Sequence, residues 1–457
     1  MTPRYKILLP YFLCFAMSMV SCDDFIKIDP PRTDLVRSTI FTNDGTANAA
    51  VADMYSQLKN SGFASGSTSG ISLLAALSAD EMIQYSQRNA DQLLQFNENS
   101  LQSNNVFLTS LWSNIYLGIY KANAVIEGLS GSSGMTEKVR GQLSGEAKFI
   151  RAFCLFYAVN LWGDVPLPLT TDYKINNAIS RSSRETVYQQ IVADILDAQG
   201  QLKDDFSFSG GERVRVNLSA ANALLARVYL YMEDWQNAEI QATKLIENTT
   251  YRLETDLTSV FRTTSKEAIL QFWSDEYPKE FSTFYVSGGS GPNFGALRPE
   301  FANDFESGDL RSTTWTKLIT YDGTNYLAPT KYVNYDIPPI DYSTVLRLAE
   351  QFLIRAEARA HLNKLPASAA DLNVIRNRAG LANTPAGTQT DLLDAIMRER
   401  KVELFCESGH RWFDLKRTHQ ADAVLGVIKR KWSSGDALYP IPEAQIISDP
   451  LVTQNPN

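Results

Sequence analysis

Residues able to do covalent chemistry are sparse in this 457-residue chain, and their spacing does not suit it. The three histidines, His361, His410 and His419, show no metal-ligand spacing, and HExxH, GxSxG, GxGxxG and zinc-type cysteine pairs are all missing. His410 lies in "ESGHRWFDLKR" with Arg411 and Asp414. That cluster reads as buried and polar, with Arg411 and Asp414 pairing or capping while Trp412, Phe413 and Leu415 pack. Among 51 acidic residues, Asp80-Glu81 and Asp275-Glu276 are neighbours. A glycosidase needs two acids a few ångströms apart across a bond, and adjacency in sequence does not supply that. No catalytic residue, metal ligand or cofactor site is expected.

Non-covalent chemistry is better represented. Exposed Trp and Tyr rings offer flat apolar surfaces for the C–H faces of sugar rings, with a polar tip for hydroxyls. Amides, carboxylates and guanidinium groups supply the matching donors and acceptors. Between Leu270 and Tyr342, 73 residues carry 15 aromatics, about twice the frequency of the whole chain, with six glycines and six prolines. The stretch offers Trp273, Tyr277, Phe284, Tyr285, Trp315, Tyr321 and Tyr326, with Asn293, Asp322 and Asn325 nearby. A second polar stretch, from about Ile83 to Asn105, offers Tyr85, Arg88, Phe96 and Asn97. The expected ligand-binding set is Tyr85, Arg88, Phe96, Asn97, Trp273, Tyr285, Trp315 and Tyr321. Trp315 and Tyr321 lead it because they flank a polar stretch. Trp273 follows the apolar "AILQF", where its ring could also turn inward. Trp112 and Trp412 lie in helical patterns and are assigned to packing.

One further residue has a chemical position. In "LLPYFLCFAMSMVSCDDFIKIDPP", Arg4 and Lys6 precede an apolar run from Ile7 to Val20, and the small Ser21 stands before Cys22. This is the layout of a secretory signal, and about 14 residues are too few for a spanning helix of roughly 20. A cysteine at the cleavage point suggests lipid attachment to the Cys22 thiol. Removing residues 1–21, with two bases and no acid, takes the net charge from −8 to −10. So acidic a chain, with no basic run, is a poor partner for nucleic acid. Cys154 and Cys406, in "AFCLFYAV" and "ELFCES", read as buried free thiols.

The elements that must hold the loops are helical. In "NLSAANALLARVYLYMEDWQNAEIQATKLI", Leu218, Ala221, Leu225, Val228, Tyr229 and Met232 fall at spacings of three and four. Glu233-Asp234 makes a short turn, and Trp235, Ala238, Ala242, Leu245 and Ile246 form a second stripe. The order of alanines and aromatics matches the tetratricopeptide pattern. A second copy follows with Val345, Ala349, Phe352, Leu353, Ala356 and Ala360, then Ala369, Leu372 and Ile375. Earlier, "LTSLWSNIYLGIYKANAVIEGL" and "GEAKFIRAFCLFYAVNLWG" are long helices separated by "SGSSG". One hairpin cannot bury its own apolar face. The fold class expected is mainly α: a scaffold of tetratricopeptide-like hairpins carrying a loop-rich, aromatic-rich insertion.

Taken together, "CDDFIKIDPP", "GEAKFIRAFCLFYAVNLWGDVPLPL", the hairpins, "DFESGDLR", "RERKVELFCESGHRWFDLKR" and "LYPIPEAQIISDPLVTQNPN" resemble the RagB/SusD family of outer-membrane nutrient-binding lipoproteins of Bacteroidetes. The ending departs slightly, with Gln445 where the family often has glutamate. The resemblance implies four tetratricopeptide-like units with a loop-rich ligand site. It also implies a SusC-type TonB-dependent outer-membrane barrel as partner, over whose extracellular mouth the lipoprotein sits as a lid. Asp23 and Asp24 after Cys22 then look like the signal for surface export. The organisation expected is a signal peptide over 1–21, an extended lipid-anchored leader over 22–40 and a helical scaffold over 41–269 with a binding loop near 83–105. A ligand-binding region over 270–342 and a helical part over 343–457 complete it. The expected function is capture of oligosaccharides for the barrel, with oligopeptide capture as the alternative and a pure docking adaptor as a more distant one.

Overall fold

The computed structural model describes residues 40–85, 90–284, 286, 287, 289, 291–334 and 336–455. The signal segment, Cys22 and most of the leader lie outside the described residues, as do Arg88 and Tyr285. The chain is mainly helical, as the periodicity requires.

The first helices are α1 (Asp44–Ser61), α2 (Ile71–Ser78) and α3 (Ala90–Glu98), with strand β1 (Met82–Gln84) between the last two. The long α4 (Val106–Ser130) starts where the Asn105 side chain accepts from the Phe107 and Leu108 amides; α5 (Glu137–Trp162) is capped in the same way by Thr136. These two form an antiparallel hairpin, and α6 (Arg184–Gln201) packs on α5. Nearly every residue of α5 from Gln142 onward is buried: its second half is almost entirely apolar, and Glu146 and Arg151 are paired with Arg215 and Asp194. The next hairpin is α7 (Leu218–Tyr231) and α8 (Trp235–Ile246), whose turn uses a left-handed Glu233 and an Asp234 cap. Met232, placed in the apolar stripe by spacing, ends α7 as its C-cap and is 40% exposed. Then α8 packs on α9 (Leu348–His361), and α9 on α10 (Leu365–Arg378) and α11 (Gln389–Leu404). Alanines 238, 242, 356 and 360 are fully buried at these contacts, which lets the helix axes approach closely. Helix α12 (His410–Arg417) seals the scaffold against α2 and α11.

The insertion is tied at its root. Strand β2 (Ala268–Phe272) pairs antiparallel with the strand Ser343–Arg347, and both are buried throughout. The excursion between them therefore leaves and returns at one point of the core. Within it, β3 (Gly295–Leu297), β4 (Thr316–Tyr321) and β5 (Thr324–Pro329) join β1 in a four-stranded antiparallel sheet of order β1-β3-β5-β4. The β4–β5 turn is Asp322-Gly323, both with positive φ, the two-residue geometry that suits strand twist. The stretch 83–105, expected as a loop, forms the end of β1 and the helix α3 instead. Leu93 and Phe96 are buried on one face of α3, enough apolar surface to fold an otherwise polar segment.

Candidate functional site

The two polar-aromatic stretches meet in the sheet. Met82 stands opposite Leu297, Leu297 opposite Leu327, and Tyr326 opposite Ile319. Residues two apart on a strand share a face, so Tyr321 stands on the same side as Ile319 and Tyr326. Tyr85, just past β1, meets Tyr326 edge-on, with ring centroids 4.9 Å apart at 85°. Tyr85 and Tyr321 are 36% and 37% exposed, and Tyr326 is half-buried. Tyr321 lies against Gly291, where a Cβ would stand 2.7 Å from its Cδ1. A side chain at that position would push the ring away. Arg298 directly follows β3, and its amide donates to the Glu81 carbonyl at 2.9 Å, which continues the ladder between β1 and β3. Burial first, then Tyr326 and Glu300, raise the Tyr85 hydroxyl above its ordinary pKa, against the pull of Arg298. Tyr85 is therefore a neutral phenol, able to donate and accept.

The remaining expected residues fall into three groups. Asn97 is half-buried, and its Oδ1 accepts from the Gln84 amide at 3.2 Å, so it holds the end of β1 that presents Tyr85. Trp273 is 51% exposed but stands beside Lys59 of α1, whose Nζ lies 5.6 Å from the ring centroid and 3.2 Å from Asp275. Phe96 and Trp315 are corrections. Phe96 is buried beside Tyr439, at 5.5 Å, because it supplies the apolar face of α3. Trp315 is only 1% exposed, and its Nε1 donates to the Leu257 carbonyl at 3.0 Å. It caps the short helix Leu310–Thr314 and turns inward over the buried Lys331, whose Nζ is 4.8 Å from its ring. Trp315→Phe is expected to cost on the order of 1–2 kcal/mol of stability in urea unfolding, through the lost hydrogen bond and volume. Saccharide affinity in the same protein should be unchanged; a weakened affinity would return Trp315 to the binding surface.

Tyr326 stands outside the expected ligand-binding set yet meets Tyr85 here, and no sequence signal marks Arg298. In "GALRPEF" nothing separates Arg298 from the many arginines that pair inside the scaffold.

The acids and histidines take structural positions. Asp80 is held by Arg411 at 2.7 Å and Lys401 at 2.9 Å. Glu81 is buried, with Oε2 accepting from the Cys406 amide at 3.4 Å. Burial, then Asp80, pushes its carboxyl up to about 8, so it is uncharged near neutral pH and faces away from solvent. His410 is buried and held neutral by desolvation and the surrounding arginines, Arg227 first. His361 stacks on Trp235 at 3.8 Å. Asp414 pairs with Arg400 and Arg417, while Arg411 pairs with Asp80. Cys154 and Cys406 are buried free thiols. Among the described residues, no cluster of His, Cys, Asp or Glu could hold a metal ion, and no helix is long and apolar enough to cross a membrane.

Comparison with known proteins gives a consistent result. A family model described as the SusD family matches residues 311–457, and one described as starch-binding, associating with outer membrane, matches residues 46–230. A SusD-like protein of Formosa agariphila is 24% identical over 526 residues, covering 98% of each chain. A SusD-like protein of Bacteroides ovatus is 25% identical over 91% of this chain and 84% of its own. A SusD superfamily protein from Bacteroides vulgatus superposes with a TM-score of 0.80 at 21% identity, covering 91% of this chain and 99% of that one. A laminarin-binding SusD-like protein gives 0.77 at 23% identity, covering 91% and 100%. Surface glycan-binding protein A from Bacteroides thetaiotaomicron, in complex with laminarihexaose, gives 0.77 at 20% identity with the same coverages. At these identities the solved structures establish the shared fold.

Proposed function

Because this chain belongs to the SusD/RagB family, we propose that it is a cell-surface glycan-binding lipoprotein. It captures oligosaccharides and passes them to a SusC-type TonB-dependent barrel, acting as its lid and performing no covalent chemistry. The observation that carries this reading is the meeting of Tyr85, Tyr321 and Tyr326 on one side of the β1-β3-β5-β4 sheet, with two of the rings more than a third exposed. Such rings stack on sugar C–H faces while their hydroxyls reach sugar hydroxyls. Relatives of the same fold whose names record laminarin and laminarihexaose binding support it. Cleavage before Cys22 and acylation of its thiol would tether the protein. The leader to residue 40, with its Pro30-Pro31 pair, would keep the fold clear of the membrane, since consecutive prolines favour an extended chain.

The test is calorimetric titration of the purified full chain with neutral and acidic oligosaccharides, and separately with a peptide mixture. Tyr326→Ala and Tyr85→Ala should each cost about 1–2 kcal/mol of saccharide affinity, a five- to thirtyfold loss typical of an aromatic anchor. Unchanged affinity in both variants would remove the sheet as the site. Peptide binding without saccharide binding would move the protein to oligopeptide capture, and new reducing ends in the saccharide incubations would make it an enzyme. Binding that persists without the barrel would separate a ligand binder from a pure docking adaptor.

A further inference from the structure

Among the described residues, the buried arginines are paired or hydrogen-bonded. Arg227 pairs with Glu350 at 2.6 Å, Arg311 with Asp309 at 2.8 Å, Arg400 with Asp414 at 2.7 Å, and Arg411 with Asp80 at 2.7 Å. Arg298 breaks the pattern. It is half-buried at the edge of the tyrosine surface, and its guanidinium makes no ion pair or hydrogen bond within the described residues. Its Nε is fully buried with no partner. Desolvation pulls its pKa below the ordinary arginine value.

No acid nearby supplies the missing partner. Glu300 is exposed and stands outside ion-pair distance; Asp80 is already held by Arg411 and Lys401. Glu81, although its carbonyl accepts from the Arg298 amide, turns its carboxyl toward Cys406. The segment 86–89 that follows Tyr85 contains no acid at all. Glu300 and Asp80 act on this cation only from beyond ion-pair distance, so its desolvation is poorly compensated and its guanidinium keeps donors for an anionic ligand.

The position gives that ligand a context. Carrying the Leu297–Leu327 register one residue further puts Arg298 across from Tyr326, and Arg298 lies close enough to Tyr85 to influence its hydroxyl. A planar guanidinium receives a carboxylate or sulfate through two parallel N–H donors, while the adjacent rings take the sugar faces. We propose that the saccharide bound at this sheet carries an anionic group, a uronate carboxylate or a sulfate ester, and that Arg298 receives it. This rests on the sheet being the saccharide site and adds the charge class of the ligand.

The experiment measures affinities of the full chain for three probes: an oligogalacturonate for the carboxylate, a sulfated carrageenan oligosaccharide for the sulfate, and laminarihexaose as the neutral reference. One acidic probe should bind at least about tenfold tighter than the neutral one, and raising the salt concentration should weaken that probe alone. Which acidic probe wins decides between carboxylate and sulfate. Arg298→Gln should lower acidic affinity by about ten- to a hundredfold and laminarihexaose affinity by several-fold less, so that the preference for the acidic probe collapses. Arg298→Lys, with charge but no fork, should fall between. Equal or tighter binding of laminarihexaose by the unaltered protein, or acidic binding indifferent to both substitutions, overturns the charge assignment and leaves the glycan site standing. Absence of binding to all three probes removes the charge assignment and the saccharide site together. The comparison within the unaltered protein decides the matter even if Arg298→Gln fails to fold.

Discussion

Arg347→Met is expected to lower the stability of this protein by about 3–5 kcal/mol, the cost of breaking a buried ion pair from one side. Arg347 ends the strand that closes the insertion. Its Nη1 lies 2.9 Å from Glu267 and 2.6 Å from Glu403, and its Nε lies 2.7 Å from Glu407. Around it, Arg378 contacts Glu267 and Glu403, Arg311 reaches Glu403 at 2.9 Å, and Lys331 reaches Glu407 at 2.5 Å. Every side chain in the cluster is almost fully buried. The cluster joins the chain before β2, the closing strand, α10 and α11, so it fastens the insertion to the scaffold. Removing Arg347 leaves three carboxylates in low dielectric with one cation fewer, which is why the loss exceeds that of any exposed pair. Urea unfolding should show a lower midpoint with an unchanged slope. Arg347→Lys, which keeps the charge but not the fork, should lose less. A loss under about 1 kcal/mol would mean that the cluster contributes little net stability, as buried ion pairs sometimes do.

The same cluster sets the response to acid. Burial alone would raise the Glu403 carboxyl, but Arg378, Arg347 and Arg311 hold it well below the usual carboxylate range. Glu407 and Asp414 are lowered too; in each, burial works against the shift and is outweighed by paired cations, Arg347 and Lys331 for Glu407, Arg400 and Arg417 for Asp414. A carboxyl whose folded pKa is depressed contributes stability that is present above its unfolded pKa, about 4, and is lost as pH falls through the folded value. Glu81 works in the opposite sense. Its raised folded pKa favours the folded state below the unfolded value, and that contribution is lost as pH rises through about 8. Unfolding free energy measured across pH should therefore decline as pH falls below about 4, where the paired carboxylates protonate; above neutrality the buried Lys416, whose pKa desolvation lowers to about 7, works against the loss from Glu81. The gap between Arg347→Met and the unaltered protein should narrow toward the acid end, where protonation dissolves the cluster in both.

Trp162→Ala should cost a further 3–5 kcal/mol, the range for truncating a large core aromatic, and should act on one segment first. Trp162 ends α5 fully buried, 4.9 Å from Trp112 and 6.4 Å from Tyr439, and its Nε1 donates to the Pro440 carbonyl at 3.0 Å. The Asn455 side chain donates to the Trp162 carbonyl at 3.0 Å and to the Tyr439 carbonyl at 2.8 Å, and Gln445 accepts from Trp112 Nε1 at 3.2 Å. The C-terminal segment is thus a strap held on α4 and α5 by two indoles. Hydrogen exchange in Trp162→Ala should show lost protection over residues 439–455 under conditions where the hairpins farther along the scaffold keep theirs. Uniform loss across the chain, or none, would contradict the strap.

What the sequence determined by itself was the part of the protein governed by short-range periodicity. Leu225 and Val228, and Ala238 and Ala242, each belong to one helix face, so their spacing alone announces the hairpins and the helical class. The burial of Trp112 and Trp412 followed from the same patterns. Tertiary structure decided everything that depends on strands far apart in the chain. The stretch around Tyr85 and the stretch around Tyr326 read as two separate loops until Met82 pairs with Leu297 and Leu297 with Leu327, and that pairing makes one surface of them. It also turned Trp315 into the core, because a C-cap position over a buried lysine overrode the polar sequence beside it. Arg298 shows the limit most plainly, since an unpaired arginine and a paired one have the same letter. Whether a counter-charge is present depends on which carboxylates the fold carries to within 4 Å, and that is a property of three-dimensional neighbours that no spacing along the chain encodes.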